Sequence, residues 1–176
     1  MNARCYEHSI SDVLESLLYL DTKTGTEATY HFNGKDWAYK KSPFQNSGNI
    51  ILEATLKCSR GNADQIKAEN RRYVEDRKNK GHFKFPSAGS VFKNNHDFGS
   101  PSGKIIDEAG LRGFSIGGAQ VAPWHGNFII NTGTATAKDI HDLVLYITET
   151  VKLKTGFELE PEIIFTGRGF DSGTLD

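Results

Sequence analysis

Residues 85–95 read FPSAGSVFKNN, and the chain is organised around them. Pro86, Ser87, Ala88 and Gly89 form a turn-favouring run. They deliver a single serine, Ser90, to Val91 and Phe92, a β-favouring pair. Lys93 and the amides Asn94 and Asn95 follow at once. A turn that feeds a strand can fix one hydroxyl between backbone N–H groups and a cation, the geometry that a proton donor or an anion site requires. A serine-bearing turn with a solvated lysine fits the same residues.

Working outward, the chain has 176 residues, enough for one average domain or two small ones with a real core. Its 37% hydrophobic and 24% charged residues are those of a globular protein. A net charge of −1 gives no general pull toward nucleic acid or an anionic membrane. No apolar run approaches the ~20 residues of a membrane span, and no charged-then-apolar leader follows Met1. Cys5 and Cys58 are far apart and lack a CxxC partner, so they read as reduced thiols of a cytoplasmic protein.

The segment before residue 60 reads as β-rich. Residues 16–20 (SLLYL) and 26–30 (TEATY) flank a glycine-containing turn, a hairpin signal. Residues 49–57 (NIILEATLK) predict a third strand, buried on both faces at its start and on one face later. A helix is expected from Asn62, its N-cap, with Ile66, Tyr73 and Val74 on one face and a basic far end that includes Lys80. After the Ser90 turn come a short helix over residues 104–109 capped by Gly110, a close approach at Gly117 and Gly118, and a buried strand over 127–131. The clearest helix spans residues 137–155. Thr136 and Asp139 start it, Gly156 closes it, and Ile140, Leu143, Val144, Ile147 and Val151 form its apolar stripe. A last strand is expected at 163–165, before a glycine-rich, mobile tail. The fold class is α+β, with a boundary near residue 60.

Three constellations can carry chemistry. Ser90, Lys93 and Asn94 form the first. Glu162 is the second: it follows Pro161 at the mouth of an apolar segment, where partial burial would favour its acid form. The third is the aromatic and cationic run WAYKKS at 37–42, which can grip an anionic ligand or simply be a surface loop. The six histidines lack zinc spacing, and Ser90 lacks the second glycine of a GxSxG elbow. No P-loop or GxGxxG is present.

Taken together, PSAGSVFKNN, GKIIDEAGLRGFSIGGAQVAPWHGNFIINTGTATAKDI and FELEPEIIFTG, in this order and spacing, resemble the C-terminal half of the UDP-N-acetylenolpyruvoylglucosamine reductases. The likeness runs from Met1 to about Gly167 and is to the shorter type, which lacks an inserted tyrosine-bearing loop. It implies two domains: residues 1–60 as the end of an FAD-binding α+β domain, and 61–170 as a compact α+β substrate-binding domain, with 171–176 as tail. It implies FAD and NADPH as cofactors, a UDP-sugar substrate, and a role in peptidoglycan precursor synthesis. NADPH reduces the flavin, and the flavin reduces the enolpyruvyl double bond. The family's proton-donor serine falls on Ser90, its glutamate on Glu162, and the Tyr-Arg pair of YRxSxF on Tyr39 and Lys40. Substrate contacts fall on Lys80, Asn94 and His125, and the edge of the flavin site on Asn2 and Ala3. Lys40 replaces the usual arginine and loses its planar fork. Arg4 and Glu7 stand where glycines are usual. Most of the family's flavin site lies in an N-terminal half that these 176 residues do not contain. A non-catalytic UDP-sugar-binding module descended from the enzyme is the alternative.

Overall fold

The computed structural model describes residues 1–167. The chain divides into two compact units, Met1–Gln65 and the residues from Ile66 onward.

The first unit is a sheet with loops. After the short pair β1 (Arg4–Cys5) and β2 (His8–Ser9), β3 (Leu14–Asp21) and β4 (Thr26–His31) form the expected antiparallel hairpin. β5 (Ile50–Leu56) pairs with the other side of β3, giving the order β4-β3-β5. Leu14 and Leu17 are buried. β5 departs from the expected burial: every residue in it is exposed. As an edge strand it has a neighbour on one side alone, and its apolar run reflects β-propensity rather than a core position. Cys5 and Cys58 are both exposed thiols.

Helix α1 (Ala63–Asn79) begins where expected, with the Asn62 carboxamide oxygen accepting from the N–H groups of Asp64 and Gln65. Of the expected apolar face, Tyr73 is partly buried, while Ile66 and Val74 are 49% and 47% exposed. Three apolar positions in a helix otherwise dense in charge make too narrow a stripe to bury. The helix ends in a Schellman motif: Gly81 N–H donates to Lys78 O and His82 N–H to Arg77 O. Gly81 has φ +79°, and a Cβ there would lie 2.8 Å from Trp124 Nε1, so a side chain is excluded on both counts.

The second unit holds the main core. Its four-stranded sheet runs β6-β9-β8-β7, with β6 (Ser87–Ser90), β7 (Ser115–Ile116), β8 (Ala119–Val121) and β9 (Phe128–Asn131) all antiparallel to their neighbours. Ser87, Ala88 and Gly89, expected with Pro86 as a turn, are therefore part of a strand. The register slips between Ser87 and Ser90, and Gly89 takes φ +87°. This irregularity explains the turn-like composition. Helices α2 (Ser102–Glu108) and α3 (Ala137–Thr155) supply Ile105, Ile106, Leu143, Val144, Ile147 and Val151 to one cluster with Val91, Phe92, Val121 and Ile129. The Thr136–Asp139 capping box and the left-handed Gly156 bound α3 as expected.

The strand expected at residues 163–165 does not form. Phe92 bridges Pro161 instead, and the Glu162 N–H donates to Val91 O at 2.7 Å. The short apolar run misled because Pro161 cannot donate to a ladder, which limits the pairing to this one bridge. Most of the expected tail lies outside the described residues.

Candidate functional site

Ser90 ends β6 at the rim of a cleft of about 380 Å³ in the second unit. The cleft is closed by a clamp of backbone and amide bonds. The Val91 N–H donates to Asn127 O at 3.0 Å. Asn127, itself 4% exposed, accepts from Phe92 N–H with its side-chain oxygen and donates its amide to Phe92 O, both at 2.8 Å. A primary amide satisfies both backbone groups of Phe92 at once, so the residues following Ser90 are held in one register.

Asn94 and His125 line the same cleft. The Asn94 side-chain oxygen accepts from Ser102 N–H at 3.0 Å, tying the residue to the first turn of α2. Its amide N–H groups remain as donors. His125 accepts from Asn127 N–H with Nδ1 at 3.1 Å, which places the proton of the neutral ring on Nε2. Burial pushes His125 below the usual imidazole value. The charges of His82 and Arg112 add to this, and a backbone hydrogen bond opposes it. The ring is therefore a neutral donor at neutral pH.

The opposite wall comes from α2 and the turn after it, which the sequence did not single out. Arg112 reaches the cleft, held by Asp107 at 3.1 Å and donating to Trp124 O at 3.3 Å. Lys104 adds a second cation. The walls touch through two glycines: a Cβ on Gly126 would lie 2.3 Å from Gly103 O. Arg112, Lys104, Ser90, Asn94 and His125 offer donors to a negatively charged, oxygen-rich ligand. The one acidic lining residue, Asp107, is engaged with Arg112.

Of the residues expected from sequence, the cleft thus gathers Ser90, Asn94 and His125. Glu162 does not line it, but its backbone pairs with Val91, next to Ser90. Lys80 does not line it either; its Nζ lies 2.7 Å from Asp76 at the end of α1. Lys93, expected as the cation beside Ser90, pairs with Glu160 instead. Side chains alternate along an extended segment, and Lys93 is an odd number of residues from Ser90.

Tyr39, Lys40, Asn2 and Ala3 lie in the first unit. Trp37 and Phe44 pack on Tyr30, and the intervening chain turns back through the Ala38–Lys41 bridge, with Lys40 at φ +56°. Tyr39, 41% exposed, and Lys40 form the tip. The Asn2 amide donates to Ser11 Oγ and to Ala38 O, and its oxygen accepts from Ser11 N–H. Asn2 therefore anchors that tip. Ala3 accepts from Ile10 N–H through its carbonyl. Among the described residues no group of three or more histidine, cysteine or acidic side chains could hold a metal, and no helix is long and apolar enough to cross a membrane.

Fold and cleft together define an α+β domain with a cleft rich in hydrogen-bond donors and cations beside an antiparallel sheet. Residues 81–166 match the family model of the UDP-N-acetylenolpyruvoylglucosamine reductase C-terminal domain. The chain is 52% identical over 178 aligned residues to UDP-N-acetylenolpyruvoylglucosamine reductase of Treponema denticola, covering 95% of this chain and 55% of that protein. It is 45% identical to that of Borreliella burgdorferi, with the same coverage. The crystal structure of UDP-N-acetylenolpyruvylglucosamine reductase from Thermus caldophilus superposes with a TM-score of 0.73 at 36% identity, over 92% of this chain and 57% of that one. The chain belongs to the UDP-N-acetylenolpyruvoylglucosamine reductase family and corresponds to the C-terminal half of its members. It spans about half the length of the curated relatives it matches.

Proposed function

We propose that this chain is the substrate-binding half of an oxidoreductase that reduces UDP-N-acetylglucosamine enolpyruvate to UDP-N-acetylmuramate. The observation that carries the reading is the meeting of Ser90, Asn94 and His125 in one cleft with Arg112 and Lys104. The cations and neutral donors suit a nucleotide-sugar diphosphate. Ser90, on the strand end fixed by the Asn127 clamp, protonates the carbon next to the one that receives hydride. Glu162, whose backbone pairs with Val91 beside Ser90, is the carboxylic acid that donates to the enolate-like charge that develops. Tyr39 and Lys40, at the anchored tip of the first unit, and Lys80 take part in holding the substrate.

In the complete enzyme FAD and NADPH would supply the hydride. The residues of this chain do not fit a flavin site by themselves. The Asn2 amide is already hydrogen-bonded to Ser11 and Ala38, and Ala3 offers a methyl group. The 176 residues therefore supply substrate binding and the proton, and the remainder of the protein supplies most of the flavin site. Peptidoglycan precursor synthesis and a cytoplasmic location follow from that reaction.

The test separates the half-reactions in the complete holoenzyme. Ser90→Ala is expected to leave flavin reduction by NADPH intact. It should slow flavin reoxidation by substrate about 10²–10⁴-fold, as loss of a general acid does. Equal losses in both half-reactions would contradict the role given to Ser90.

A further inference from the structure

Behind His125 lies a second imidazole that the proposed reaction does not use. His82 stands edge-on to His125, with ring centroids 6.5 Å apart and planes at 89°. Both rings rest on Phe128, each at a centroid distance of 4.8 Å. His82 is delivered there by the Schellman motif that ends α1: Gly81 turns the chain, and the His82 N–H closes the motif on Arg77 O. His82 Nδ1 is buried and has no hydrogen-bond partner among the described residues. A buried polar atom of this kind is costly unless it serves a purpose.

Protonation of His125 at Nδ1 would set two donors against each other, the new N–H and the Asn127 N–H. Asn127 also clamps Phe92 and accepts from Val91. A disturbance at His125 therefore reaches the strand that carries Ser90 through one residue.

We propose that His82 is a positioning residue for the cleft: packed behind His125 on Phe128, it holds that ring with Nδ1 accepting from Asn127 and Nε2–H donating to the ligand. Burial lowers the affinity of both imidazoles for a proton. The charges that face them are known. Arg77 and Lys80 at the end of α1 disfavour protonation of His82, and Asp76 favours it. His82 and Arg112 disfavour protonation of His125. Asp107, which also lines the cleft, is ion-paired to Arg112, and Lys104 is the remaining cation there. The neutral, single-donor state of His125 thus persists below pH 6.5, the ordinary imidazole value. Removal of the His82 ring exposes His125, so its midpoint moves up and the loss of binding on acidification begins at higher pH.

The ligand-binding part of this inference rests on the proposed reading of the cleft; the coupling of the two imidazoles does not. The test follows the His125 ring by NMR across pH in the 176-residue chain, and measures affinity for uridine diphosphate at pH 6 and pH 8. In His82→Ala the His125 midpoint rises. Affinity at pH 6 falls about three- to fourfold, as the neutral fraction of His125 shrinks, and much less at pH 8. His82→Phe keeps the packing on Phe128. It restores most of the affinity, and the midpoint rises less than in His82→Ala, because only the charge is lost. An unchanged His125 midpoint in both variants, or an affinity loss equal at the two pH values, would overturn the proposal. If His82→Ala does not fold, His82→Phe decides alone: a His125 midpoint identical to that of the unmodified chain overturns it. Absence of uridine diphosphate binding with the midpoint shifts intact would contradict the proposed function and leave the coupling standing.

Discussion

Asn127 does more for the cleft than any residue named for chemistry. Its side chain satisfies both backbone groups of the buried Phe92. Asn127→Ala would leave a buried N–H and C=O unpaired, a loss of about 1–3 kcal/mol for each group left so. Urea denaturation should show it as a lower midpoint with an unchanged slope. Gly126→Ala is expected to be as harmful for a different reason. Its Cβ would lie 2.3 Å from Gly103 O, so the two cleft walls must separate, at about 1–3 kcal/mol. A thermal unfolding scan of the folded variant would report it. Ser90 and Asn94 were legible in the sequence because a short β-favouring pair flanked by polar turn residues stands out. Asn127 was legible only as the polar end of a strand, since its partners are 35 residues away. Arg112 and Asp107 left no signal of their own: a cation and a carboxylate near a short helix read as solvated surface until the chain folds them to the cleft rim.

Among the elements, α3 was the most legible and β6 the least. A 19-residue amphipathic helix with a capping box at one end and glycine at the other satisfies local and tertiary demands together. Thr136→Ala removes the acceptor of the Asp139 N–H and should cost about 1 kcal/mol, read as a lower melting temperature. Asp139 carries a pH signature. Its carboxyl is held below the usual carboxylate value, chiefly by the Thr136 backbone N–H and then by that of Gly118. A depressed carboxylate stabilises the fold above its unfolded value, and that contribution is lost as pH falls. Acid unfolding should therefore show a loss setting in below pH 3.8 that Asp139→Asn lacks. β6 was misread because Pro86 and Gly89 carry the composition of a turn, while β9 imposes pairing across an irregular register. β5 was placed correctly along the chain and wrongly in depth. Hydrophobic spacing marks which face is apolar, and the neighbours in space decide whether it is covered.

At the scale of the whole molecule, the 176 residues form two compact units and span about half the length of the curated relatives they match. The α+β class was legible from the order of strands and helices; the reaction was not, and it entered through the long motif blocks around Ser90 and Glu162. One expectation follows for the chain as it stands. Under the proposed division of labour, FAD added to it should keep the fluorescence of free flavin; strong quenching that saturates at one equivalent would contradict this. The proposed function requires that the Ser90 cleft receive the UDP-sugar. Amide chemical shifts of the 176-residue chain, followed as UDP-N-acetylglucosamine enolpyruvate is added, test it most directly. Shifts concentrated at Ser90, Asn94, Arg112, His125 and Gly126 are expected. Shifts confined to the groove between Phe98 and Phe157, or none at all at saturating ligand, would contradict it.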